Sequence, residues 1–145
     1  MFERILVPVD GSDAALAALE HAVELQNKFE SELMVLCVYR HYSLLEASMS
    51  MVRPEQPERI DDSMREYAMD VVEKAKKYAA EYGAKNVRGF VKSGPPSRTI
   101  VNFAKDKHVG LIVLGSRGMG DVEGYLLGSV SHKVTSLSHC PVLVV

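Results

Sequence analysis

Leu111-Ile112-Val113-Leu114-Gly115-Ser116-Arg117-Gly118-Met119-Gly120 sets a run of branched aliphatic residues directly against a glycine-rich stretch. An apolar run without alternation describes a strand buried on both faces, as in a parallel sheet covered by helices. Glycines just after such a strand mean that the backbone turns tightly or approaches something closely. Six of the ten glycines lie between Gly110 and Gly128, so the chain concentrates that requirement at this strand end.

Outward from it, residues 5–9, 33–38, 87–91 and 142–145 form further short runs rich in Val, Ile and Leu. Helical spacing fills the gaps. Leu16, Leu19 and Val23 make one apolar stripe behind a cap at Ser12 or Asp13. Met64, Ala68, Val71, Ala75, Ala79 and Tyr82 make a longer one, with Gly83 placed for a left-handed C-terminal cap. Pro95 and Pro96 start a third helix carrying Ile100, Phe103 and Ala104. Val130, Val134 and Leu137 mark a short fourth before Pro141. The order β-α-β-α-β-α-β-α-β with right-handed crossovers predicts an α/β fold. We expect a single doubly wound three-layer domain over residues 1–145, with four helices on a five-stranded parallel sheet ordered 3-2-1-4-5. Residues 39–59 show no sustained period and are expected to form a mobile insert or flap.

Composition narrows the function classes. Of 145 residues, 47% are apolar and 25% charged, and the formal net charge is −2, as in an ordinary soluble domain. A duplex-DNA or RNA binder would draw its affinity from a basic face, so no nucleic-acid partner is expected. The apolar runs fall far short of the ~20 residues of a membrane span. Glu3 and Asp10 interrupt the N-terminus too early for a signal peptide. Cys37 and Cys140 stand far apart and fit no disulfide or metal framework. The expectation is a reduced, cytoplasmic domain.

In open α/β sheets, ligands bind beyond the carboxyl ends of the strands where strand order reverses. Strand one ends in Pro8-Val9-Asp10-Gly11-Ser12, and strand four ends in the glycine stretch that later reaches Gly128-Ser129-Val130-Ser131. A helix starting near Gly128 aims free N–H groups and its positive dipole end at whatever lies in front. Gly115, Gly118 and Gly128 would let backbone donors approach a ligand without a Cβ in the way. Ser129 and Ser131 would add hydroxyl donors, and Arg117 a cation. This is the chemistry of a phosphate cradle; the alternative is that the glycines only build a loop and Ser129 only caps a helix.

Neighbouring motifs fail. A P-loop needs Lys after its second glycine, whereas Asp121 follows Gly120 and Ser129 follows Gly128. In the dinucleotide pattern Gly118-x-Gly120 is followed by Gly124, one residue late and after the wrong strand. The G-x-S-x-G elbow is absent.

Gly115-x2-Gly118-x9-Gly128-Ser129 resembles the nucleotide-binding signature of the universal stress protein family, G-x2-G-x9-G-[S/T]. The opening Ile5-Leu6-Val7-Pro8-Val9-Asp10-Gly11-Ser12, the Gly94-Pro95 turn and the closing Cys140-Pro141-Val142-Leu143-Val144-Val145 resemble it too, in the right order. The resemblance implies ATP, or AMP or ADP, bound across the switch point as part of a stress response. Asp10 would hold the adenosine end beside Pro8, Val9 and Ser12, and the Val38 backbone would meet the adenine edge. Gly115 would contact the ribose, with Leu114, Ser116 and Arg117 beside it in the nucleotide-binding set. Gly118, Gly128, Ser129, Val130 and Ser131 would hold the phosphates. About four charge-assisted hydrogen bonds supply roughly 6–12 kcal/mol. Association costs about 4–15 kcal/mol. Burial of the adenine is therefore required as well. Mg²⁺ is expected to arrive with the phosphates and one carboxylate.

A dedicated hydrolase needs a positioned base, metal-anchoring carboxylates and a cation. Asp121, Glu123 and His132 make no assembled set in the sequence, and His21, His41, His108 and His139 show no metal-ligand spacing. The reading is thus a nucleotide-responsive module, with a slow ATPase or an empty structural dimer as alternatives. With strand five at the sheet edge, Val142, Leu143, Val144 and Val145 carry no charge to block pairing. A homodimer through that strand, antiparallel across a two-fold axis, is expected; the resemblance implies the same.

Overall fold

A computed structural model describes residues 1–40, 57–118 and 127–145. Strand β1 spans Arg4–Pro8, helix α1 Asp13–Phe29 and strand β2 Glu32–Tyr39. Helix α2 spans Pro57–Tyr82, β3 Val87–Ser93 and α3 Pro96–Asp106. Strand β4 spans Leu111–Leu114, α4 Ser129–Leu137 and β5 Val142–Val144. The sheet order is β3-β2-β1-β4-β5, with every neighbouring pair parallel. Doubly wound α/β topology follows, as the sequence pattern predicts.

Alternate residues of the central strands feed two separate cores. Ile5, Val7, Leu33, Val35, Leu111 and Val113 pack with Ala18, Leu19 and Val71 on the face that α1 and α2 cover. Leu6, Met34, Leu36, Ile112 and Leu114 pack with Ile100, Phe103 and Val134 on the face that α3 and α4 cover. Both faces being buried, neither parity of residue can be polar; hence the unbroken apolar runs. Each fully buried Val, Leu or Ile contributes about 1.5–3 kcal/mol relative to exposure.

The outer strands depart from that reading. In β3, Arg88, Gly89, Lys92 and Ser93 are exposed, and in β5 Leu143 is 37% exposed. As edges of the sheet, each has one neighbour and incomplete helix cover, so burial on both faces fails there.

Local signals set the helix ends. Ser12 caps α1, accepting from the Ala15 amide at 3.2 Å, and the Ser12 amide in turn donates to Asp10 Oδ1 at 2.9 Å. Gly83 follows α2 with φ of 110°, where an L side chain would be strained. Tyr39 belongs to β2 and residue 57 already to α2. The rest of the insert expected at 39–59 lies mainly outside the described residues, as do Met119, Gly120, Asp121, Glu123 and Gly124.

Candidate functional site

At the carboxyl ends of β1, β2 and β4 the chain leaves a cavity of about 340 Å³. That is at the small end of the range of ligand pockets, about 300–1,000 Å³. Pro8, Val9, Asp10, Ser12, Val38, Leu114, Gly115, Arg117, Gly118, Ser129, Val130 and Ser131 line it. Segments far apart in sequence are therefore brought to one place, at the switch between β1 and β4.

Ser116 and Gly128 stand behind the wall instead of lining it. The Gly128 amide donates to the Ser116 carbonyl, and Ser131 Oγ donates to the carbonyls of Ser116 (2.8 Å) and Gly128 (3.0 Å). The Ser116 amide donates to the Val145 carbonyl at 2.8 Å. Two expectations are corrected here. Gly128 does not offer its own amide to a ligand, because that amide ties α4 to the β4 loop. Ser131 is 3% exposed and its hydroxyl proton serves backbone carbonyls, so it is a brace and not a hydroxyl donor to a ligand.

The donors that remain belong to the start of α4. His132 N–H is the first to close onto the helix, donating to the Gly128 carbonyl at 2.9 Å. The Ser129, Val130 and Ser131 amides precede it and have no intrahelical acceptor. No side chain caps this end and no acidic residue occupies the first turn. The positive end of the helix dipole therefore meets the cavity unneutralised by either.

Gly115 has a different reason for being glycine from the one expected. A Cβ there would lie 2.8 Å from the Ala14 carbonyl carbon and 2.9 Å from its oxygen. The missing side chain lets the first turn of α1 sit on the end of β4; ligand access is not what requires it.

Ala15, Leu36, Arg40, Pro96 and Ile100 also line the cavity and escaped the sequence reading. Leu36 and Arg40 flank Val38 at two-residue spacing, the period of a strand face. Ile100 lies one helical turn beyond Pro96. Those periodicities were visible, but nothing local showed which face of α3 meets β2.

Cys37, on β2, has its thiol pushed up to about 11 by burial and, secondarily, by the Asp10 carboxylate. It stays protonated at neutral pH and offers no thiolate nucleophile. His132 is exposed and does not line the cavity. Among the described residues, no group of three His, Cys, Asp or Glu side chains is placed to hold a metal. Asp10 supplies the carboxylate of the cavity wall. No helix among the described residues is long and apolar enough to cross a membrane.

The comparisons agree with this architecture. Universal stress protein YxiE of Bacillus subtilis (strain 168) is 40% identical over 148 residues, covering 100% of this chain and 99% of that one. The solved universal stress protein UspA from Lactobacillus plantarum superposes with a TM-score of 0.83 at 28% identity, over 99% of this chain and 97% of that one. A universal stress protein solved in complex with cAMP shares the fold, with a TM-score of 0.71 at 24% identity over 99% of this chain and 95% of that one. The family model described as Universal stress protein family matches residues 1–145. With the order of strands, the two-sided core and the glycine spacing all in place, the chain belongs to the universal stress protein family.

Proposed function

We propose that this chain binds an adenine nucleotide, ATP or its AMP and ADP relatives, and acts as a nucleotide-responsive regulator in a stress response. The observation that carries the reading is the polarity of the cavity. One cavity wall joins the uncapped start of α4 (Ser129, Val130, Ser131), Gly118 and Arg117 with the apolar Pro8, Val38, Pro96 and Ile100 and the carboxylate of Asp10.

Each set of groups suits one part of such a ligand. Free amides at a helix N-terminus bind phosphate oxygens, and Arg117 adds a fork of donors. The apolar side chains remove the base from water, and Asp10 accepts from ribose hydroxyls. Where ATP binds, Mg²⁺ would ride on its phosphates; Asp10 supplies the carboxylate among the described residues lining the cavity. A fold relative has been solved with cAMP.

The reading is of a binding module in the cytoplasm rather than a dedicated hydrolase. It works as a homodimer in which β5 of one copy lies antiparallel to β5 of its twin. The exposed Leu143 and the absence of charge along 142–145 support that edge as the contact. Mass spectrometry of the small molecule released on denaturing the purified protein, followed by calorimetric titration of the emptied protein, tests it. An adenine nucleotide released, or ATP bound with one site per chain, is expected. Neither released nor bound, at millimolar ATP, overturns it.

A further inference from the structure

We infer that Arg40 is a base-binding residue of this cavity, stacking its guanidinium on the nucleobase of the ligand; the inference rests on the adenine-nucleotide reading above. Leu36, Val38 and Arg40 all line the cavity and alternate along one face of β2 and its extension, so one wall runs from aliphatic to cationic. The Tyr39 carbonyl accepts from the Gly94 amide at 2.9 Å, and Tyr39 is in register with Ser93. The chain thus leaves β2 in a fixed direction one residue before Arg40. Pro96 and Ile100 of α3 form an apolar surface on the same cavity.

Position assigns the role. Strands β2 and β4 lie on either side of β1. Two strand spacings of ~4.8 Å put their ends about 10 Å apart. Arg40 follows β2, whereas Arg117, Gly118 and the start of α4 gather beyond β4. A cation carried just beyond β2, across β1 from that cluster, is placed for another part of the ligand. The guanidinium is planar, weakly hydrated and stacks on aromatic faces. Among the described residues, Arg40 is in no ion pair, and it is exposed, so its plane is available to a ring entering beside Val38. The two arginines therefore divide the ligand: Arg40 takes the base, and Arg117 the phosphates.

The test is a calorimetric series of AMP, ADP, ATP and GTP against the unmodified chain, Arg40→Ala, Arg40→Lys and Arg117→Ala, with circular dichroism confirming that each variant folds. Arg40→Ala is expected to weaken AMP, ADP and ATP by one common factor, roughly 3- to 30-fold. Arg40→Lys recovers only part of it, because an ammonium has no plane to stack. Arg117→Ala loses progressively more from AMP to ATP. A loss at Arg40→Ala that grows with phosphate number, or none at all, overturns the assignment. So does a loss confined to GTP, which would mark reading of the guanine edge. An unmodified chain that binds none of the four removes the nucleotide reading itself, and this inference with it; normal binding indifferent to Arg40 removes only the inference.

Discussion

Ser131 Oγ lies 2.8 Å from the carbonyl oxygen of Ser116, fifteen residues earlier, and donates its hydroxyl proton there. The same carbonyl accepts from the Gly128 amide, and the amide of Ser116 reaches β5 through Val145. One residue, Ser116, therefore joins the end of β4, the start of α4 and the chain just beyond β5. The free amides of α4 owe their placement to this joint.

Ser131→Ala removes a donor from a buried brace. Leaving a buried polar group short of a partner costs about 1–3 kcal/mol. A loss of that size in urea denaturation is expected, together with weaker nucleotide binding as the start of α4 loosens. Unchanged stability would mean that the Gly128 amide alone holds the joint.

Gly115→Ala acts differently. Its Cβ would meet the backbone of Ala14 at 2.8 Å, and backbone cannot swing aside as a flexible side chain does. Overpacking of this kind costs about 1–3 kcal/mol. A lowered Tm is expected with or without nucleotide. A variant as stable as the parent would show that the first turn of α1 can shift freely.

Glu32 gives a pH signature. The Arg88 guanidinium, hydrogen-bonded to it at 2.6 Å, holds its carboxyl below the ordinary value of 4.5, with Arg4 helping at 3.2 Å. A depressed folded-state value means that the stabilisation is present above about 4.5 and is lost as pH falls through the lower folded value. The pair is partly exposed, so the effect is at most about 1 kcal/mol. Glu32→Gln should flatten the acid limb of the stability curve by that amount while leaving affinity near neutral pH unchanged. An identical acid limb in the variant would show that the arginines give the carboxylate nothing.

Leu143→Lys places a charge on the sheet edge, where charge opposes strand pairing. Sedimentation should change from dimer to monomer with nucleotide affinity kept. A dimer that persists would place the contact elsewhere.

The central strands were legible because burial on both faces forces an unbroken aliphatic run, as at 5–8 and 111–114. The exposure of the edges was less so: the expected order already put β3 and β5 outermost, but no local pattern shows how little helix covers them, and Arg88 and Lys92 of β3 face water. At the site, glycine spacing pointed to the chain after β4 but not to each glycine's task. Gly115 answers to Ala14 and the Gly128 amide to Ser116, contacts made only once the sheet is assembled. Arg40, Pro96 and Ile100 were invisible for the same reason, since β2 and α3 meet through the fold.

The central claim is that the amides of Ser129, Val130 and Ser131 receive the phosphates, and two-dimensional amide NMR during titration with ATP tests it most directly. The account predicts that these three amides move most, with adenosine alone leaving them nearly still. ATP binding that shifts other amides while leaving these three in place would contradict it.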